Sequence, residues 1–214
     1  MKRMAVVLSA AIFSFAMIAA MLELPTPVVN LSDVVAAQMA ASGVHHPVTA
    51  VLLNFRGYDT LLEIAVLLLA LFGVLAVAIS GTKETVAAPS PADAVVQTLA
   101  RIAAPLMVLA AVYLLWIGAH RAGGAFQAGA VLAAGAVLLH LAGLLPGWGP
   151  PGIRLRVGLV GGFLVFLAVA GAMLAQGALL QYPPWQAGYL ILLIEACLGM
   201  SLGLILAGLF LFLS

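Results

Sequence analysis

The residues YLILLIEACLGMSLGLILAGLFLFL, from Tyr189 to Leu213, form a long apolar run near the end of the chain. The run contains 25 residues and a single charged side chain, Glu195. A helix needs about 20 apolar residues to cross the hydrocarbon core of a bilayer, because each residue adds about 1.5 Å. The run therefore predicts a transmembrane helix with one carboxylate inside it.

The composition of the whole chain supports the same class. Of the 214 residues, 65% are hydrophobic and 7% are charged, and the mean hydropathy is +1.26. Soluble domains carry about 25% charged residues, so this composition indicates an integral membrane protein. The net charge of +1 excludes the basic stripe of a nucleic-acid-binding protein. The single cysteine, Cys197, excludes an internal disulfide or a structural zinc site built on several cysteines.

Six apolar runs are long enough to span a membrane, and they are continuous rather than alternating, which favours helices over a barrel. The sequence thus predicts an all-α integral membrane protein with about six transmembrane helices, at about 4–22, 58–80, 102–119, 124–145, 157–179 and 189–213.

Lysine and arginine set the predicted orientation through the positive-inside rule. With the N-terminus in the cytoplasm, six basic residues lie inside and two, Arg56 and Arg121, lie outside. Both termini are therefore predicted to be cytoplasmic, in a multi-pass protein of the cell (inner) membrane. Met1-Lys2-Arg3 before an apolar run also resembles a secretory signal peptide, but the residues after the run form a poor cleavage site.

A charged cluster begins the second predicted span. Arg56, Asp59 and Glu63 are spaced i, i+3 and i+7, so a helix would place them on one face. Glu63 lies about 7–8 Å below the outer end of the span. A charge near the bilayer centre costs about 2.5–3.5 kcal/mol on insertion scales, so Glu63 should face protein, water or an opposite charge. Two interpretations stay open: Arg56 neutralises a carboxylate and anchors the helix end, or Glu63 is a proton or cation site.

Two other titratable groups lie inside predicted spans. Glu195 has no charged neighbour in sequence, so it needs a partner on another helix, either as a protonated structural group or as part of a relay. His140 lies near the inner end of the fourth span and is a further candidate for ion translocation. His45-His46 lacks a third ligand nearby, so no metal site is expected. No arrangement for nucleophilic catalysis and no cofactor motif appears, so the sequence predicts no enzyme active site.

The fourth span opens with a run of small residues. Small side chains let helices approach closely in lipid, where no hydrophobic force drives association. We therefore expect the following residues to serve helix or subunit packing: Gly123, Gly124, Phe126, Gln127 and Gly129.

Two stretches resemble known families. The stretch from Pro47 to Glu63, PVTAVLLNFRGYDTLLE, resembles the MbhE-like segment that also occurs at the C-terminal end of the large Mrp antiporter subunit. The stretch from Gly118 to Gly129, GAHRAGGAFQAG, resembles the MrpB (MnhB) motif Gly-His-x-x-Pro-Gly-Gly-Gly-Phe-Gln-Gly-Gly. Ala122 stands where that motif has proline, and alanines replace several of its glycines.

The resemblance implies a domain organisation and a role. Residues 1–80 would form an MbhE-like two-helix module, 81–98 a cytoplasmic connector, and 99–214 an MrpB-like four-helix module. The chain would be an accessory subunit of a multi-subunit monovalent cation/proton antiporter, with other antiporter subunits as partners, Na+ or H+ as the transported ion and no cofactor. The resemblance assigns ion passage to Arg56, Asp59 and Glu63.

Other interpretations remain beside this one. The chain could be a purely structural subunit of an antiporter-like module coupled to a membrane-bound hydrogenase or another redox complex. A stand-alone transporter is disfavoured, because six spans with so few polar groups offer little to line a pore.

Overall fold

The structure is a computed structural model, and it describes residues 2–23, 30–80, 93–175, 177 and 179–213. All regular elements within these residues are helical. In chain order they are α1 (Lys2–Leu22), α2 (Leu31–Ser42), α3 (Pro47–Ala50), a π-helical segment (Val51–Phe55), α4 (Gly57–Ser80), α5 (Ala94–Ile117), α6 (Ala125–Leu141), α7 (Ile153–Leu174) and α8 (Pro184–Leu211).

The helices confirm a multi-pass, all-α membrane protein. Each of the six predicted spans contains a helix, and four helices are long and apolar enough to cross a membrane, in α4, α5, α7 and α8. The apolar stretches Val6–Leu22 of α1 and Ala125–Leu141 of α6 are shorter. The 17 residues of α6 give a length of about 26 Å, slightly less than the hydrocarbon thickness of about 30 Å.

Several helices start before the predicted spans, because hydropathy marks only the apolar part of a helix. The predicted third span starts at residue 102, whereas α5 begins at Ala94, with the Asp93 Oδ1 accepting from the Val95 N–H at 3.3 Å. Residues 94–98 of the predicted connector therefore belong to α5, and residues 81–92 lie outside the described residues. In the same way α8 begins at Pro184 rather than at residue 189.

The chain divides into two compact units, Met1–Val34 and Val35–Ser214. The first unit contains α1, whose described side chains are exposed at almost every position. The second unit contains α3 to α8, and α8 is its central helix, because it packs against α4, α5, α6 and α7.

The packing face of α8 follows helical spacing. Ile191, Ile194, Leu198, Leu202 and Ile205 recur every three or four residues, and each is at most 2% exposed. Because lipid is as apolar as these side chains, their close packing rather than escape from water stabilises the bundle.

Glycines allow α6 and α7 to approach α8 closely. A Cβ at Gly129 of α6 would lie 2.8 Å from the Leu202 Cβ, and one at Gly162 of α7 would lie 2.7 Å from the Cys197 carbonyl oxygen. Ser201 of α8 also donates to the Leu159 carbonyl of α7, which satisfies a buried hydroxyl.

The helices α4 and α5 are much less covered than α8. In the most apolar part of each helix, 17% of α4 and 11% of α5 are buried, against 56% of α8. One face of α4 packs inward through Leu61, Ile64, Leu68 and Leu71. Leu67, Val74 and Leu75 of α4 are half-buried beside this face, and many of its other described side chains are exposed.

Candidate functional site: a buried carboxylate at the α5–α6 turn

The turn between α5 and α6 folds back tightly on the end of α5. The Gly124 N–H donates to the Leu114 carbonyl at 2.9 Å. A Cβ at Gly118 would lie 2.7 Å from the Gly124 nitrogen, and a Cβ at Gly123 would collide with the Leu114 oxygen. The tight turn therefore requires glycine at both positions.

The Glu195 side chain of α8 reaches this turn. It is 6% exposed, and the Ala125 backbone hydrogen bonds to its carboxyl group. Gly124 has φ +107°, and a Cβ there would lie 2.6 Å from the Glu195 Oε1. The carboxylate thus occupies the space that a side chain at Gly124 would need.

The contact places a carboxyl group at the start of α6. The N-cap of α6, Gly124, has no side chain to cap the helix. The first N–H groups of a helix lack partners within the helix, and a negative group there is stabilised by the helix dipole. Glu195 supplies from α8 the acceptor that the local sequence of α6 does not provide.

A second segment is attached to the same turn. Thr49, which is 6% exposed, donates through Oγ1 to the Gly118 carbonyl at 2.6 Å. The His45 and His120 rings stack with centroids 5.8 Å apart and planes at 17°. The segment that leads into α4 is therefore joined to the turn that holds Glu195.

The Arg56 cluster is arranged differently. The π-helical segment ends at Phe55 and is followed by Arg56, which takes a non-helical conformation. The Arg56 Nε donates to the Asp59 Oδ2 at 2.7 Å. The Thr60 hydroxyl donates to the Leu52 carbonyl at 2.6 Å and so satisfies an acceptor of that segment. The Arg56 and Asp59 side chains are 70% and 49% exposed.

Glu63 is exposed one turn further along α4. Within the described part of the chain, no hydrogen bond or ion pair joins its side chain to another residue. The structure thus pairs Arg56 with Asp59 and leaves Glu63 facing outward, whereas it encloses Glu195.

His140 lies at the opposite end of α6 from the Glu195 contact. It is 6% exposed, and its Nδ1 is 2.9 Å from the Leu145 carbonyl oxygen. Because a carbonyl oxygen only accepts, Nδ1 carries the hydrogen. The ring also meets Phe210 edge to face, at 6.1 Å between centroids. The contacts of His140 therefore connect the C-terminal end of α6 to the turn that follows it and to Phe210 of α8.

The small-residue run does not act as a unit. Gly123 and Gly124 belong to the turn, whereas Gly129 lies at the contact of α6 with α8. Phe126 packs against the main core, and Gln127 is exposed, with its Oε1 within 3.9 Å of the Cβ position at Gly124.

Three features of the site were not predicted. Thr49 gave no signal, because threonine is ordinary in a membrane helix, and the contact of His45 with His120 joins distant parts of the sequence. Tyr182 is 5% exposed, and its hydroxyl has no partner among the described residues. Burial raises the pKa of the Tyr182 phenol. Within the described ranges, no three His, Cys, Asp or Glu residues cluster as metal ligands would.

Comparison with known proteins identifies one family and two similar structures. Residues 95–213 match the family described as "Domain related to MnhB subunit of Na+/H+ antiporter". A chain of the membrane-bound sulfane sulfur reductase, an archaeal respiratory membrane complex, is 24% identical with a TM-score of 0.74, and the match covers 99% of this chain and 97% of that one. A chain of the Mrp complex from Dietzia sp. DQ12-45-1b is 22% identical with a TM-score of 0.74, covering 99% of this chain but 26% of that longer one. No curated protein gives a significant match.

Proposed function

Because the chain belongs to the family of domains related to the MnhB subunit of Na+/H+ antiporters, we propose that it is an accessory subunit of a multi-subunit monovalent cation/proton antiporter of the Mrp type. It works in the cell (inner) membrane beside other antiporter subunits and contributes to the ion pathway and to the subunit interface. The ion it serves is Na+ or H+, and it carries no cofactor or active site of its own.

The enclosed Glu195 is the observation that carries this proposal. A carboxylate in a low-dielectric interior is costly unless a donor, a proton or a cation compensates its charge. The contact with Ala125 supplies one fixed donor, which leaves further acceptor capacity on the carboxylate. We therefore assign to Glu195 the reversible binding of a proton or a monovalent cation.

The module organisation is part of the proposal. The family match begins at residue 95, close to the start of the proposed MrpB-like module at residue 99. Residues 1–80 then form the MbhE-like module, and the connector after it ends where α5 begins at Ala94, with both chain termini in the cytoplasm. The positive-inside distribution of Lys and Arg supports this orientation.

The outer carboxylates are the second group of candidates for the ion pathway, after Glu195. The exposed Glu63, with the paired Arg56 and Asp59 beside it, lies where another subunit can reach it. His140 is the remaining candidate, and its Nδ1 hydrogen is directed at the Leu145 carbonyl oxygen.

The test replaces Glu195 by Gln in the assembled complex and measures Na+-dependent proton flux in vesicles. The variant keeps an acceptor for the Ala125 N–H but cannot bind a proton or neutralise a cation. We expect flux per assembled complex to fall at least tenfold. Asp93→Asn, at an exposed helix N-cap, is the matched control and should leave flux unchanged. Wild-type flux in the Glu195 variant would contradict the assignment.

A purely structural subunit of a redox-coupled module is the second candidate. The match to nearly the full length of a chain from the sulfane sulfur reductase complex favours it. It predicts that Glu195→Gln and Glu63→Gln change the yield of the complex but not the flux per complex. Redox subunits encoded beside this chain, or purified with it, would favour this candidate.

A further inference from the structure

The outward face of α4 carries a regular seam of residues. Glu63, Val66, Ala70, Gly73 and Val77 are spaced alternately three and four residues apart, and all five are exposed. This spacing is the pattern by which one helix packs along another at a small crossing angle. The buried face of α4, from Leu61 to Leu71, points in nearly the opposite direction.

The middle of this seam is shaped for close approach. Ala70 and Gly73 are small, and a Cβ added at Gly73 would meet no atom within 4 Å. No close packing contact within the described part of this chain therefore requires a glycine at position 73. Small residues on an outward face let a second helix come close in a membrane.

Glu63 is the charged residue of the seam, and it requires a neighbour other than lipid. It is the seventh residue of α4, about 9 Å from the start of the helix, and lies inside the candidate span Gly57–Ala78. A carboxylate at this depth does not face lipid tails, because its charge would lose its hydration. Arg56, the basic residue closest in sequence, is engaged by Asp59.

We infer that the α4 seam, Glu63 to Val77, docks a transmembrane helix of another subunit that presents a basic side chain at the depth of Glu63. This inference rests on the proposed function, because it places the chain in a hetero-oligomeric complex. Charge complementarity selects the occupant: a second copy of this chain would bring a carboxylate rather than a cation to the seam. The partner's Lys, Arg or His completes the ion pair that the described part of this chain leaves open.

The first test locates the occupant by photocrosslinking in the assembled complex. A photoreactive residue replaces Val66 on the seam, and in a matched variant it replaces Leu68, which is 5% exposed and packs inward on the same helix. We expect the residue at 66 to crosslink to one other subunit, on a helix with a basic residue level with Glu63. The residue at 68 should crosslink only within this chain.

Several results would overturn the inference. These are a crosslink from position 66 to lipid alone, to another segment of this chain, to a second copy, or to a helix without a basic residue. Free labelling of a cysteine at position 66 by a water-soluble maleimide in the complex would also overturn it, because that result means a water-filled cavity.

The second test measures the charge pair directly. Glu63→Gln should reduce the amount of the crosslinked subunit that purifies with this chain at least tenfold, because it leaves the partner's cation buried without a counter-ion. Replacing the partner's basic residue by Glu in a Glu63→Lys background should restore retention. Unchanged retention in Glu63→Gln, or no restoration by the exchanged pair, would contradict the inference.

The two proposals can fail separately. If Glu195→Gln keeps wild-type flux while position 66 crosslinks to a basic helix, the pathway assignment fails and the docking surface stands. If Glu195→Gln abolishes flux while position 66 meets only lipid, the docking surface fails and the proposed function stands.

Discussion

Glu195 and Glu63 are carboxylates inside membrane helices of one chain, but they differ in burial and in their partners. Glu195 is enclosed, with the α5–α6 turn shaped around it and the Ala125 backbone hydrogen bonded to it. Glu63 lies on an outward face and has no partner in the described part of the chain. The contrast shows that position in a span does not define a carboxylate's surroundings, because one carboxylate is contacted by the chain's own backbone, whereas the other has no partner in the described part of the chain.

The largest effect is expected when a side chain fills the space that Glu195 occupies. Gly124→Ala places a Cβ 2.6 Å from the Glu195 Oε1 and at a φ of +107°, so we expect a loss of about 3 kcal/mol in the free energy of unfolding. Gly161→Ala, in α7 with no atom within 4 Å of the new Cβ, should change stability by at most about 1 kcal/mol, in the stabilising direction. Thermal unfolding in detergent measures both. Equal effects would mean that the turn does not depend on Gly124.

Removing each carboxylate compares the two sites directly. Glu195→Ala leaves the Ala125 N–H buried without its acceptor, so we expect a loss of about 2 kcal/mol in the chain dispersed in detergent. Glu63→Ala should change the same quantity by less than about 0.5 kcal/mol, because the side chain is exposed there. Chemical denaturation of both variants checks this, and a larger loss for Glu63→Ala would reverse the comparison.

A smaller effect is expected where the Glu195 turn is tied to the segment before α4. Thr49→Val keeps the shape of the side chain but loses the 2.6 Å hydrogen bond to the Gly118 carbonyl, at a cost of about 1–2 kcal/mol. Thr98→Val is the control, because Thr98 is exposed and bonds only within its own helix. A melting temperature that is the same in both variants would show that the Thr49 bond does not hold the turn.

The smallest effect is expected at the ion pair beside Glu63. Asp59→Asn weakens the pair with Arg56, but both side chains are at least 49% exposed. Exposed pairs contribute about 0.2–1 kcal/mol, so the melting temperature should fall only slightly and become less dependent on salt. A loss as large as that of Glu195→Ala would mean that the Arg56 cluster, and not the Glu195 turn, anchors the chain.

Much of the fold could be predicted from local sequence. The apolar runs identified every long helix in the described part of the chain, because hydropathy and helix length are properties of contiguous residues. The helix ends were less accurate: α5 starts at Ala94, where Asp93 caps it, although the residues there are less apolar than the span.

The site could be predicted only in part. Glu195 stood out because a carboxylate in an apolar run is costly. Its contacts with Gly124 and Ala125 could not be predicted, because they depend on how α6 and α8 pack across many residues of sequence. For Arg56, Asp59 and Glu63, helical spacing placed all three on one face, but Arg56 precedes α4 in a non-helical conformation and pairs with Asp59 alone.

Carboxyl labelling with a carbodiimide and an amine, read by mass spectrometry, tests the central claim most directly. The labelling is done on the assembled complex and on the chain released from it in detergent. We predict that Glu63 is modified in the released chain and protected in the complex, while Glu195 resists modification in both. Modification of Glu195 as fast as Glu63 in the released chain, or equal modification of Glu63 in both samples, would contradict the account.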